Sequence, residues 1–328
     1  MSGLLRAEWI RLRKRRSIQA IVLAVPLLIA VQFAAGYLSI GEPPPFDEAA
    51  VRAELISQGY GVGLPPDEAE AILALQVSAK RQEHEFRAEE AAIARAAYAF
   101  PRSLVTVLGS SLFVLLALIL LTASAVGDEF GWGTIRTSLI AFGNRRRVLA
   151  VRIVAVGAVG LVLFGLVLVL GAALPVVLSS GSARPPAQLP AVDWTGIGAL
   201  LLGNVVAAAT VIGFSAFATV LARSGSLALV GALIYFVIEA AILSVLVRLE
   251  PLQEGSGATW LLNGFPLRGF VTLSDVATKA ASGLGHFPGE VLGRDLGPAA
   301  FPIVALAAWA LLFGALAFRR FGRMDIVE

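Results

Sequence analysis

Six stretches of this chain run for 20 residues or more with almost no charge: residues 18–38, 104–126, 153–178, 195–222, 227–247 and 299–318. A bilayer core about 30 Å thick is crossed by roughly 20 apolar residues in a helix. In lipid the backbone must satisfy its own hydrogen bonds, which leaves only helices and closed barrels. Runs this long and unbroken are not the short alternating segments of a barrel. The expected fold is an all-α integral membrane protein with six transmembrane helices. The composition agrees, with 57% hydrophobic and 15% charged residues against roughly 25% charged in a soluble domain.

Five of the six stretches contain no Asp, Glu, Lys or Arg, and the fifth contains one, Glu239. A carboxylate at mid-bilayer is costly unless it faces protein or water or is protonated. Glu239 is therefore a candidate pathway or dimer-seam residue, with Tyr235 and Ser244 able to share a polar stripe with it. The competing reading is a buried hydrogen bond that locks two helices.

An even number of spans leaves both termini on one side, and the charges say which. Residues 1–17, 127–152, 223–226 and 319–328 together hold 15 basic and 5 acidic residues, whereas the opposite side holds 11 basic and 17 acidic. Short loops rich in Lys and Arg stay in the cytoplasm, so both termini are expected there. The first run, at 21 residues with no small-x-small site after it, reads as a span rather than a signal peptide.

Residues 1–17 read as a cytoplasmic interfacial helix, with Leu5, Trp9 and Leu12 on one stripe and arginines elsewhere. Trp9, Arg13 and Arg15 are its candidate membrane anchors, with lipid as the partner; a plain basic anchor is the simpler alternative. Segment 39–103 is external and acidic, with 11 Asp or Glu against six basic residues. A helix over about 47–58 that stops at Gly59 and a second one starting at Pro65-Pro66 predict an external helical hairpin. Ile72, Ala79, Phe86, Ile93 and Phe100 recur every seventh residue, a spacing that predicts packing on the rest of the protein. Segment 248–298 is Gly- and Pro-rich with an apolar centre from Trp260 to Val271, which suits an external or re-entrant element. Residues 319–328 form a cytoplasmic tail.

Several chemistries are excluded. Without cysteine there is no disulfide scaffold, thiolate metal site or thiol nucleophile. His84 and His286 stand alone, so no zinc motif can be assembled. None of Lys14, Lys80 and Lys279 follows a glycine, so a phosphate-binding P-loop is absent, as are Gly-x-Gly-x-x-Gly and Gly-x-Ser-x-Gly. Gly127-Asp128 lacks the preceding glycine and the second in-span aspartate of an intramembrane aspartyl protease, Ala125 standing where the glycine belongs. Neither an enzyme nor a nucleic-acid binder is expected, and no cofactor or metal in this chain.

The most informative stretch joins the second and third spans. Residues 127–152 read GDEFGWGTIRTSLIAFGNRRRVLAVR: an acidic pair, a Gly131-Trp132-Gly133-Thr134 hinge, an amphipathic run through Arg136, and the cluster Arg145 to Arg147. An ordinary loop whose arginines only fix topology is the bland reading. The pattern resembles the permeases of type-two ABC exporters, with Glu129, Gly133-Thr134-Ile135-Arg136 and Arg145 to Arg147 at the matching positions. Phe142-Gly143 departs from it, since the family commonly places a proline before the basic cluster. The resemblance implies that Glu129, Gly131, Gly133, Thr134, Arg136 and Arg145 belong to a cytoplasmic loop that couples the chain to two copies of a separate ATPase subunit, which would carry ATP and Mg. It also implies a second permease copy or paralogue and a bacterial cytoplasmic membrane. The near absence of polar groups from the spans favours a hydrophobic or amphipathic cargo. An ion-coupled carrier using Glu239, and a membrane scaffold or sensor using the external hairpin, are the alternatives.

Overall fold

The computed structural model describes residues 2–41, 43–131, 144–179, 194–249, 266 and 297–324. Every regular element among them is a helix. In chain order these are α1 (Ser2–Lys14), α2 (Arg16–Leu38), α3 (Glu48–Ser57), α4 (Pro66–Ala96), α5 (Ser103–Gly109), α6 (Leu112–Gly131), α7 (Arg145–Ser179), α8 (Trp194–Ala222), α9 (Gly225–Leu249) and α10 (Gly297–Arg323). Four of them, α2, α7, α8 and α10, are long and apolar enough to cross a membrane, and α5 with α6 makes a fifth crossing if the bent pair is one span. The chain is a multi-pass membrane protein. The fifth expected stretch, 227–247, lies on α9, whose apolar part extends over Gly225–Glu239 among the described residues.

Helix α8 is the hub, touching α5, α6, α7, α9 and α10. Just over half (56%) of its apolar stretch is buried, against 22% in α2. The cause is its run of small residues, since TM helices approach closely only where side chains are small. A Cβ on Gly213 would lie 3.2 Å from the Ala310 carbonyl of α10. Small hydroxyls then bond across the gap: Thr210 donates to the Leu306 carbonyl at 2.7 Å, and Ser215 to that of Ile119 at 3.1 Å. Helix α2, by contrast, leaves Leu23, Leu27 and Val31 exposed, as a lipid-facing helix would.

Three expected boundaries change. The second span, read as continuous over 104–126, is bent by 43° between α5 and α6. Gly109-Ser110-Ser111 lies at the break, and Gly/Ser pairs are among the few causes of sharp kinks. The ladder tightens there, Ser110 and Ser111 donating to the carbonyls of Val107 and Leu108, three residues back. The expected loop from 127 is shorter than its bounds, because α6 continues to Gly131 and α7 begins at Arg145. At about 1.5 Å per residue, the 35 residues of α7 exceed the bilayer core by several turns.

Helices α3 and α4 pack on each other antiparallel, around Leu55, Leu73 and Val77 with Phe46 and Val51. Asp47 caps α3 by accepting from the Ala50 amide at 3.1 Å, and Gly59 ends it at φ +89°. Pro66 takes the first turn of α4, where its missing N–H costs nothing. Most of the seven-residue stripe is uncovered, with Ile72 and Phe86 exposed while Leu73 and Val77 face α3, and only its end reaches a span, where Phe100 meets Trp194 of α8 at 6.5 Å. The α4 end is tied to the bundle by Tyr98, whose ring meets Phe33 at 4.8 Å and Tyr37 at 5.9 Å. Segment 248–298 lies almost wholly outside the described residues, as do residues 325–328 of the tail.

Candidate functional site

Of the loop residues singled out from the sequence, Glu129, Gly131 and Arg145 lie on described helices, at the end of α6 and the start of α7. Glu129 is in the last turn of α6 and Gly131 is its final residue; the Glu129 side chain and the whole of Gly133, Thr134 and Arg136 fall outside the described residues. What the described residues supply is the frame from which that segment departs and to which it returns.

Four helix ends meet in this frame. Val126 of α6, Leu149 of α7, Ala216 and Val220 of α8, and Ala317 and Phe321 of α10 form one buried cluster with Met324. Phe130 packs edge-on against Phe321, with ring centroids 6.4 Å apart. The Arg145 guanidinium donates to the Met324 carbonyl just beyond α10. Arg146 lies over Gly322, whose added Cβ would sit 3.4 Å from Nε. The return into α7 is capped by Asn144, whose Oδ1 accepts from the Arg147 amide at 3.3 Å, an N-cap arrangement that the sequence reading had not picked out.

The electrostatics of this end are unusual for a helix start. The amino end of a helix carries a partial positive charge, so a cation there is unfavourable by about 0.3–1 kcal/mol. Helix α7 nonetheless opens on Arg145, Arg146 and Arg147 with no acid in its first turn. The helix gains nothing from them. Arg145 offsets its cost through the Met324 carbonyl, one of the end groups that α10 cannot satisfy internally. Counting from Arg152, which is buried, the cluster stands about 10 Å further along the helix axis.

A second close approach at this end was not visible in the sequence. A Cβ on Gly127 would collide with the Gly225 backbone, and one on Gly225 would lie 2.8 Å from the Ala123 carbonyl. The start of α9 therefore lies on the last turns of α6 backbone to backbone. Arg223, at φ +50°, makes the turn from α8, and Ser224 caps α9 by accepting from the Leu227 amide at 3.4 Å.

Glu239 is buried, at 4% exposure, and Tyr235 stands one helical turn earlier on α9. Tyr235 stacks on Phe214 of α8 at 4.8 Å, and Phe214 in turn meets Phe313 of α10 at 5.0 Å. Glu239 thus sits at the edge of an aromatic cluster shared by three helices. Ser244 has no described side chain. Nearby, an apolar cleft of about 290 Å³ opens between α6, α8, α9 and α10, walled by Leu115, Ile119, Val211, Phe236 and Leu306. Its one hydroxyl, on Thr210, already donates to Leu306.

Of the expected anchors, Trp9 and Arg13 are exposed, whereas Arg15 turns inward and donates to Ser124 of α6 at 3.2 Å. Arg15 has extended backbone, which breaks α1 from α2. Compared with described protein families, with curated proteins and with solved structures, the chain matches none.

Proposed function

We propose that the chain is the membrane-spanning permease subunit of an ATP-driven ABC exporter, with six spans, cytoplasmic termini and an external α3–α4 hairpin. In this reading it works as one half of a dimeric pathway in a bacterial cytoplasmic membrane, and two copies of a partner ATPase supply hydrolysis. The supporting observation is the frame around residues 132–143. The ends of α6, α7 and α10 are packed into one cluster and cross-linked through Arg145 and Met324. A push on the intervening segment would reach three spans at once. The protruding start of α7 carries Arg145 to Arg147 away from the bilayer edge, where an acidic surface on an ATPase could meet them.

The cargo in this reading is hydrophobic or amphipathic. The cleft beside α8 presents no unsatisfied polar group to an ion, while its apolar walls would take an alkyl or aromatic group. A second reading, an ion-coupled carrier, draws on the buried carboxyl of Glu239.

The experiment is purification of the chain from its native host, with identification of co-purifying chains and assay of ATP hydrolysis. An ATPase subunit should co-purify, and substrate should stimulate its activity. Gly133→Val and Arg136→Glu should insert normally yet uncouple hydrolysis from transport. Purification without any ATPase, or full transport and stimulated ATPase activity in both variants, would overturn the proposal. Transport that follows a proton or sodium gradient and is lost in Glu239→Gln would favour the carrier instead.

A further inference from the structure

At the basic end of the bundle, α1 meets α2 at the Arg15 break and both lie on α7. Between them runs a cleft of about 190 Å³. Its walls are Leu12, Ile18, Val22, Val159 and Val162, all apolar. Leu12, Ile18 and Val159 are buried, whereas Val162 is half exposed, so the cleft is floored by protein and open along one side. That side continues onto the exposed leucines of α2 and α7, Leu23 and Leu161.

The mouth is different. Trp9 and Arg13 of α1 and Gln19 of α2 complete the lining. The Gln19 amide donates to the Arg13 carbonyl at 3.0 Å, which fixes the α1–α2 junction and holds Arg13 at the opening. Arg13, Lys14 and Arg16 are exposed and enter no ion pair among the described residues. The one acid of α1, Glu8, is buried and lies 3.6 Å from the Arg11 guanidinium, so it does not neutralise them.

We propose that this cleft binds one anionic phospholipid of the adjacent leaflet, with an acyl chain along Ile18, Val22, Val159 and Val162 and its phosphate at Arg13. The occupant follows from the two halves of the site. An apolar floor open to the bilayer selects a chain over a water-soluble anion, and uncompensated positive charge at the mouth selects an anionic headgroup over a zwitterionic one. Trp9 at the rim has the position of an interfacial aromatic side chain. A lipid held here would pin α1 to α7, the helix that leads to the Arg145 cluster. The site depends on the chain being membrane-embedded and not on the exporter reading.

The test uses the full chain in detergent, titrated with phosphatidylglycerol or phosphatidylcholine brominated on the acyl chains. The chain has five tryptophans, so the Trp9 signal is the quenching lost in Trp9→Phe. Phosphatidylglycerol should quench that component at about fivefold lower concentration than phosphatidylcholine, the preference expected of one basic side chain at a membrane surface. Arg13→Gln should abolish the preference, Arg13→Lys should keep it, and Val162→Phe should weaken quenching by both lipids. Each variant is checked for an unchanged melting temperature. Equal quenching by the two lipids in the wild type, a preference that survives Arg13→Gln, or displacement of the lipid by inorganic phosphate at similar concentration would each overturn the proposal.

Discussion

Gly127 and Gly225 touch because neither has a side chain to keep α6 and α9 apart. Gly127→Val forces backbone against backbone, and overpacking of this kind costs about 1–3 kcal/mol. The unfolding midpoint of the purified protein should fall accordingly. Gly157 of α7 is the control: nothing lies within 4 Å of an added Cβ, so Gly157→Ala should be neutral or stabilising by up to about 1 kcal/mol. Equal effects at the two positions would remove the seam. Glu239 poses a different question, because its carboxylate is buried and has a partner that a substitution can strand. Glu239→Gln keeps an acceptor and should unfold within about 1 kcal/mol of wild type, whereas Glu239→Leu removes it and should lose about 1–3 kcal/mol. Glu239 was legible in the sequence as a lone charge in an apolar run. The glycine seam was not, since each glycine is ordinary until its distant partner is known.

At the scale of elements, starts and stops were easier to read than faces. Asp47, Gly59 and Pro66 mark helix ends by local chemistry, and α3 and α4 begin and end beside them. Which face of α4 is buried depends on its partner, and α3 presents Val51 and Leu55 to Leu73 and Val77 rather than to the seven-residue stripe. Leu73→Ala should therefore loosen the pair by about 2–3 kcal/mol, seen as faster proteolysis in the 59–64 link. Phe86→Ala, at an exposed position, should leave the cleavage rate unchanged. A Phe86 effect as large as that of Leu73 would mean that the stripe is covered after all. The break between α5 and α6 was signalled by Gly109-Ser110-Ser111, but the apolar run around it concealed the signal. The hub role of α8 was likewise present in its Gly, Ala, Ser and Thr content, which hydropathy does not weigh.

Among the described residues of the whole molecule, the basic side chains of α1, of the start of α7 and of the end of α10 gather at one end. Arg15 is tied to Ser124 in α6, Phe130 to Phe321, and Arg145 to the Met324 carbonyl, so α1 and the Arg145 cluster share an end whatever the orientation in the membrane. The α3–α4 pair is attached to the other end, between the finish of α2 and the start of α5. With positive loops in the cytoplasm, the proposed function expects α3 and α4 outside and the α8–α9 link inside. The natural lack of cysteine makes this directly measurable. Ser57 and Ser78 are exposed on α3 and α4, and Ser17 and Ser226 are exposed at the opposite end. A membrane-impermeant thiol reagent added to intact cells should label Ser57→Cys and Ser78→Cys at once, and Ser17→Cys and Ser226→Cys only after permeabilisation. The fully reversed pattern would invert the protein and place the Arg145 cluster outside, beyond reach of any cytoplasmic ATPase. Labelling of Ser226→Cys with Ser17→Cys protected would show that an odd number of crossings separates them, and the six-span arrangement would fall.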